Sequence, residues 1–134
     1  MQNERYAETV KGKKGITRMI KAVGYSRDGL SAAYRYESAF RQLVWLNILL
    51  VALAFVLNFG PATRMMLISA SFLTLIVELF NTAVEAAVDH TSTARHELAK
   101  RAKDAGSAAQ MLALVLLAVL WFMALWREYG LNLF

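Results

Sequence analysis

Three long stretches of the chain carry almost no charge. Residues 43–59 read "LVWLNILLVALAFVLNF", residues 65–88 open with "MMLISASFLTLIV", and residues 108–126 read "AAQMLALVLLAVLWFMALW", broken only by Gln110. Each approaches the roughly 20 residues that a helix needs to cross about 30 Å of hydrocarbon. Lipid offers the backbone no hydrogen-bond partners, so a spanning segment has to satisfy its own amides, and helices are the default. The pattern predicts an all-α membrane protein with spans at about 38–59, 64–89 and 106–128. Three such runs in one short chain leave too little polar surface to cover them in water.

Ahead of the spans the period changes. Ile16, Met19, Ile20 and Val23 follow the i, i+3, i+4, i+7 spacing of one helical face, with Arg18 and Lys21 between them. This predicts a basic amphipathic helix over about 15–35, lying on the inner leaflet. Gly24 and Gly29 are expected to bend or interrupt it. Residues 1–14, with "KGKKG", read as a flexible cationic tail near anionic headgroups, and 15–134 as a single membrane domain.

Charge then sets the orientation. Nine of the fifteen Lys and Arg residues precede residue 42. The link "GPATR" carries only Arg64, whereas 90–107 carries Arg95, Lys100, Arg101 and Lys103. Cationic loops stay on the cytoplasmic side. The N-terminus and second link are therefore expected inside and the C-terminus outside, with Trp121, Trp126 and Tyr129 at the outer interface. The first span starts too far along the chain for a cleaved signal peptide and is expected to remain as an anchor. The net charge of +5 follows this topology and does not point to nucleic acid. With no cysteine in the chain, disulfides, thiolate metal sites and cysteine nucleophiles are excluded.

The second apolar run ends in "VELFNTAVEAAVD". At 100° per residue, Glu78, Asn81, Glu85 and Asp89 fall within roughly 80° of one helix face. A charge at the bilayer centre costs at least ~2.5 kcal/mol, so such a stripe has to face protein, water or a cation. Glu37 and Arg41 stand one turn apart at the entry to the first span. At the entry to the third, Lys103, Asp104 and Ser107 stand among Ala105, Gly106, Ala108 and Ala109, whose small side chains permit close helix approach. Carboxylates without cysteine favour a hard cation, Mg²⁺ above zinc. Carboxylates, Mg²⁺ and nearby cations are the equipment of phosphoryl transfer, with one carboxylate as base. No G-x-x-x-x-G-K loop or protein-kinase motif is present. From spacing alone, an enzyme and a proton or ion pathway both remain open.

The segments "GITRMIKAVGYSRDGLSAAYRYESAFRQ", "LISASFLTLIVELFNTAVEAAVD" and "HELAKRAKDAGSAA" resemble the bacterial integral-membrane diacylglycerol kinase family, over roughly residues 15–129. The specific motifs are E-x-x-N-x-x-x-E-x-x-x-D and R-A-K-D-x-G-S-A-A. The resemblance implies a surface helix and three spans assembled as a homotrimer, with active sites between subunits. It implies transfer of the γ-phosphate of MgATP to the primary hydroxyl of diacylglycerol, giving phosphatidic acid, at the bacterial inner membrane. By position, Glu78 would be the base, and Glu37 and Glu85 would hold Mg²⁺ against ATP. Asn81 would support the base and Asp89 the nucleotide end. Arg18, Tyr25, Arg95, His96, Lys103 and Asp104 would contact ATP. Arg18, Ser26, Arg27, Ser31, Ser107 and Trp121 would line the lipid side. The chain departs from the pattern at Ala94, where relatives carry an acid, and at Leu43, where they commonly carry Glu. No polar contact transfers to Leu43, and Ala94 weakens the case for nucleotide contacts from its loop. A kinase of the same superfamily acting on undecaprenol, or an oligomeric channel, are the competing readings.

Overall fold

In a computed structural model of the chain, residues 15–91 and 96–130 are described. They form four helices: α1 (Gly15–Tyr36), α2 (Ser38–Val56), α3 (Pro61–Thr91) and α4 (Glu97–Tyr129). Contacts divide the chain into two units, one ending at Tyr36 and one comprising Glu37–Phe134.

In the first unit, α1 runs unbroken through Gly24 and Gly29. The expected interruption is absent because a single glycine inside a helix costs only about 1 kcal/mol relative to alanine. Ile16, Met19, Ile20 and Val23 are all strongly exposed.

In the second unit, α2, α3 and α4 are each long and apolar enough to cross a membrane. The chain is a multi-pass membrane protein. α3 packs against both of the others. The outward faces are apolar: Leu49, Phe55, Phe72, Phe80, Leu112 and Phe122 are exposed. That is the inverse of a water-soluble surface and the arrangement a hydrocarbon solvent selects.

Helix ends differ from the apolar windows for local reasons. α2 closes at Val56, and Leu57 turns out extended, its amide donating to the Leu53 carbonyl at 2.9 Å. α3 starts at Pro61, where the fixed φ and missing N–H suit the first helical position. Arg64, read as a loop residue, is helical. It reaches back to the end of α2, its Nε donating to the Ala54 carbonyl at 2.8 Å and its Nη2 to Leu57 at 3.4 Å. The Ala54 carbonyl is among those that the α2 terminus leaves without a helical partner, while the Leu57 carbonyl also accepts the Phe59 amide at 2.9 Å. α4 begins at Glu97, well before the apolar run. The polar turns of "ELAKRAKDAG" are good helix formers stapled by Arg101–Glu97 at 2.8 Å and Lys100–Asp104 at 2.6 Å.

The apolar core lies toward the α2–α3 link. Ala54, Phe59, Leu67, Ala70, Leu117, Trp121 and Ala124 form it. Phe59 meets Trp121 edge-on at 5.8 Å and Tyr129 at 6.3 Å. The Tyr129 hydroxyl accepts the Asn58 amide at 3.0 Å, tying the link to the end of α4.

Candidate active site

At the other end, α2, α3 and α4 line an open cavity of about 610 Å³. Glu37 stands at its edge. It is the residue between α1 and α2, with extended backbone (φ −111°, ψ 107°), and its carbonyl accepts the Arg41 amide at 3.2 Å. Its carboxylate caps nothing, and it lines the cavity. From α3 come Glu78, Asn81 and Glu85, three positions of the one face that the 3.6-residue period brings into line. From α4 come Ser107 and Gln110, then Met111, Leu114, Val115 and Ala118. The cavity therefore has an acidic, oxygen-rich end and an apolar lane along α4.

Glu78 and Asn81 are buried and Glu85 is half-buried. Glu85 and Glu37 both stand close enough for their charges to act on Glu78. Among the described residues, no Lys, Arg or His lines the cavity. Three carboxylates lining one cleft repel one another, and Lys103 stands outside the lining, near Glu85. That concentration of negative charge suits a cation held by oxygen ligands. Among the described residues, no group of three or more His, Cys, Asp and Glu converges on one point as a finished metal site. The donor chemistry nonetheless fits Mg²⁺, which takes one or two protein carboxylates and completes its shell with water and phosphate oxygens.

Close approach of α3 and α4 brings the two halves of the site together. A Cβ built on Gly106 would run into the Asn81 Oδ1 atom and lie 3.8 Å from the Asn81 Cα. Only glycine lets the helices meet there with Asn81 in this position. The Asn81 Oδ1 atom is buried with no hydrogen-bond partner among the described residues.

The sequence-expected residues divide into groups. Glu37, Glu78, Asn81, Glu85 and Ser107 come together in the cavity. Asp89, exposed on the last turns of α3, pairs with Lys103 of α4 at 2.7 Å, and Asp104 pairs with Lys100. His96 is the residue preceding α4 and is exposed, with no side-chain capping bond. Arg95 and Ala94 lie outside the described residues. Arg18, Tyr25, Ser26, Arg27 and Ser31 lie on α1, in the other unit, and are exposed; Ser26 Oγ donates to the Ala22 carbonyl at 2.9 Å. Trp121 is 9% exposed in the apolar core. It lies about 21 Å along α4 from Ser107 and does not line the cavity.

Four buried polar residues fall outside the sequence-derived site: Asn47, Ser71, Thr74 and Gln110. Asn47 Nδ2 donates to Thr74 Oγ1 at 3.0 Å, and Gln110 Nε2 donates to the Thr74 carbonyl at 3.2 Å. The signal is a polar letter inside an apolar run, most plainly Gln110 in the third, which in a membrane helix marks an inward-facing position.

The family model for prokaryotic diacylglycerol kinase matches residues 24–125. A diacylglycerol kinase of Pseudomonas aeruginosa is 50% identical over 111 residues, covering 83% of this chain and 90% of the relative. That of Escherichia coli K12 is 46% identical over 116 residues, covering 87% and 95%. One from Helicobacter pylori J99 is 44% identical over 108 residues, covering 81% and 84%. These matches span most of the chain's length and the part that forms the acidic cavity, and the chain belongs to the prokaryotic diacylglycerol kinase family.

Proposed function

We propose that the chain is an ATP-dependent lipid kinase that moves the γ-phosphoryl group of ATP to the primary hydroxyl of diacylglycerol, giving phosphatidic acid and ADP. The observation that carries this reading is the gathering of Glu37, Glu78 and Glu85 in one cavity that continues into an apolar lane. A polar head of reacting atoms at one end and a hydrocarbon tail along Met111, Leu114 and Val115 match the two halves of a lipid alcohol.

In this reading Glu78 accepts the hydroxyl proton as the lipid oxygen forms its bond to the γ-phosphorus. The bond from that phosphorus to the β,γ-bridging oxygen breaks, and ADP departs with the electron pair. Glu37 and Glu85 hold Mg²⁺, which when bound draws charge from the phosphate oxygens. Asn81, beside Glu78, orients the base or the hydroxyl. Lys103, Asp104, Asp89, Arg95, His96, Arg18 and Tyr25 serve the nucleotide. Ser26, Arg27, Ser31, Ser107 and, more remotely, Trp121 serve the lipid. The cavity itself supplies no cation for the phosphates, which supports a homotrimer whose sites draw basic residues from a neighbouring subunit. The clustering of Lys and Arg before residue 42 and in 90–107 supports an inner-membrane topology with the N-terminus and second link cytoplasmic and the C-terminus periplasmic. The reading treats 15–134 as one catalytic domain, with α1 on the membrane surface.

The test is Glu78→Gln, which keeps shape and removes the base. Transfer of labelled phosphate from MgATP to diacylglycerol in mixed micelles is expected to fall by at least about 100-fold, the scale of general-base catalysis, with oligomer size and helicity unchanged. Near-normal turnover would reject Glu78 as the base. Undecaprenol offered as acceptor in the same assay separates the two lipid classes.

A further inference from the structure

Level with Glu78, three helices exchange hydrogen bonds in apolar surroundings. Asn47 of α2 donates through Nδ2 to Thr74 Oγ1 of α3 at 3.0 Å and to the Leu43 carbonyl at 2.9 Å. Thr74 Oγ1 donates in turn to the Ser71 carbonyl at 2.8 Å. Gln110 of α4 donates through Nε2 to the Thr74 carbonyl at 3.2 Å. Thr74 is fully buried, Asn47 is 3% exposed and Gln110 8%. Hydrogen bonds between spans hold helices in register where water cannot compete.

The carbonyl that Gln110 engages is not an arbitrary one. In an α-helix the carbonyl of residue 74 accepts the amide of residue 78, so the Gln110 amide is anchored one turn before Glu78. Side chains on a helix lean toward its N-terminus, which brings the Glu78 carboxylate back over that turn. Gln110 lines the same cavity as Glu78, and its Nε2 is anchored one turn before it. A glutamine amide has two N–H donors. One is committed to Thr74 and the other is left for the carboxylate. Of the other α4 side chains lining the cavity, Ser107 has a hydroxyl to donate, one turn before Gln110, and Met111, Leu114 and Val115 can donate nothing.

We propose that Gln110 is a positioning residue for Glu78, itself held by the Asn47–Thr74 pair, and that this three-helix clamp fixes the direction from which the carboxylate meets the lipid hydroxyl. The inference rests on the reading of Glu78 as base. Gln110 touches neither nucleotide nor reacting phosphorus in this scheme; it acts through Glu78.

The experiment is a double-mutant cycle on the full chain in mixed micelles of detergent and diacylglycerol. Gln110→Met keeps the length of the side chain and removes the amide. It is expected to lower kcat about tenfold, the loss of one hydrogen bond to a charged group, with the KM for MgATP unchanged. In a Glu78→Asp background, whose shortened carboxylate no longer reaches the amide, the same substitution is expected to change kcat by less than about twofold. A merely structural role would lower kcat by the same factor in both backgrounds, and that result, or an unchanged kcat in Gln110→Met, overturns the proposal. Should Gln110→Met lose its native oligomer, Gln110→Asn decides in the same cycle, since it keeps an amide one methylene too short to serve both partners. A normal rate for Glu78→Gln would sink the base assignment; an inactive Glu78→Gln beside an unperturbed Gln110→Met sinks the positioning role alone.

Discussion

Gly106→Ala separates stability from activity at the α3–α4 contact. The new methyl group would overlap the Asn81 Oδ1 atom, while the Asn81 Cα, at 3.8 Å, remains at ordinary contact distance. The helices can therefore keep their separation, and the Asn81 side chain has to turn away. Turning it costs about 0.5–1.5 kcal/mol if it leaves its preferred rotamer. Replacing a mid-helix glycine by alanine returns about 0.5–1 kcal/mol. The two nearly cancel, so the thermal midpoint in detergent should move by no more than a few degrees. Activity should respond far more strongly, because Asn81 shares the cavity with Glu78, and displacements of about 1 Å in a catalytic constellation can cost about 100-fold. The assay is labelled-phosphate transfer to diacylglycerol, run beside a thermal melt and a sizing column. Full activity would show that the Asn81 oxygen needs no particular placement; loss of the fold would show that the backbone, and not one side-chain oxygen, sets the limit. Gly106→Leu, too large for any rotation of Asn81 to relieve, should destabilise by about 1–3 kcal/mol.

Arg64→Ala should lower stability by about 1.5–3 kcal/mol, the worth of a hydrogen bond from a charged group, because the Ala54 carbonyl loses its Arg64 donor; the Leu57 carbonyl keeps the Phe59 amide. It lies far from the cavity, so kcat at a permissive temperature should be unchanged, and a drop in both would contradict the separation of the two ends. Asp89→Asn breaks an exposed pair with Lys103 that adds little to stability. Its melt should match that of the parent while the KM for MgATP changes, and an unaltered KM would remove Asp89 and Lys103 from the nucleotide side.

Much of this arrangement could be read before the fold was known, for identifiable reasons. Span positions follow from length and apolarity. The stripe of Glu78, Asn81 and Glu85 follows from angular arithmetic on a helix that has to hide charge. Gly106 stood in a run of small residues whose use is close approach. What escaped the sequence depended on partners. The start of α4 at Glu97 escaped because an apolar window marks where lipid begins, not where the helix does. Trp121 was assigned to an interface and a lipid contact, yet it is enclosed by Phe59, Leu67 and Ala54. α4 is apolar nearly all round, so its sequence does not say which side faces its neighbours. Asn47, Thr74 and Gln110 are polar letters on three different helices, and nothing in one dimension shows that they meet. α1 passes through its two glycines because neither position demands a turn.

The lock between Asn47 and Thr74 has a bearing on how the protein is made. Both residues lie in the first hairpin to leave the ribosome, so α2 and α3 can latch together before α4 exists. Gln110 then closes on the Thr74 carbonyl from the segment synthesised last. Biosynthesis thus runs from scaffold to catalyst: a truncated chain could insert as a sound helical hairpin, yet the acidic chamber would be complete only once the final span had docked.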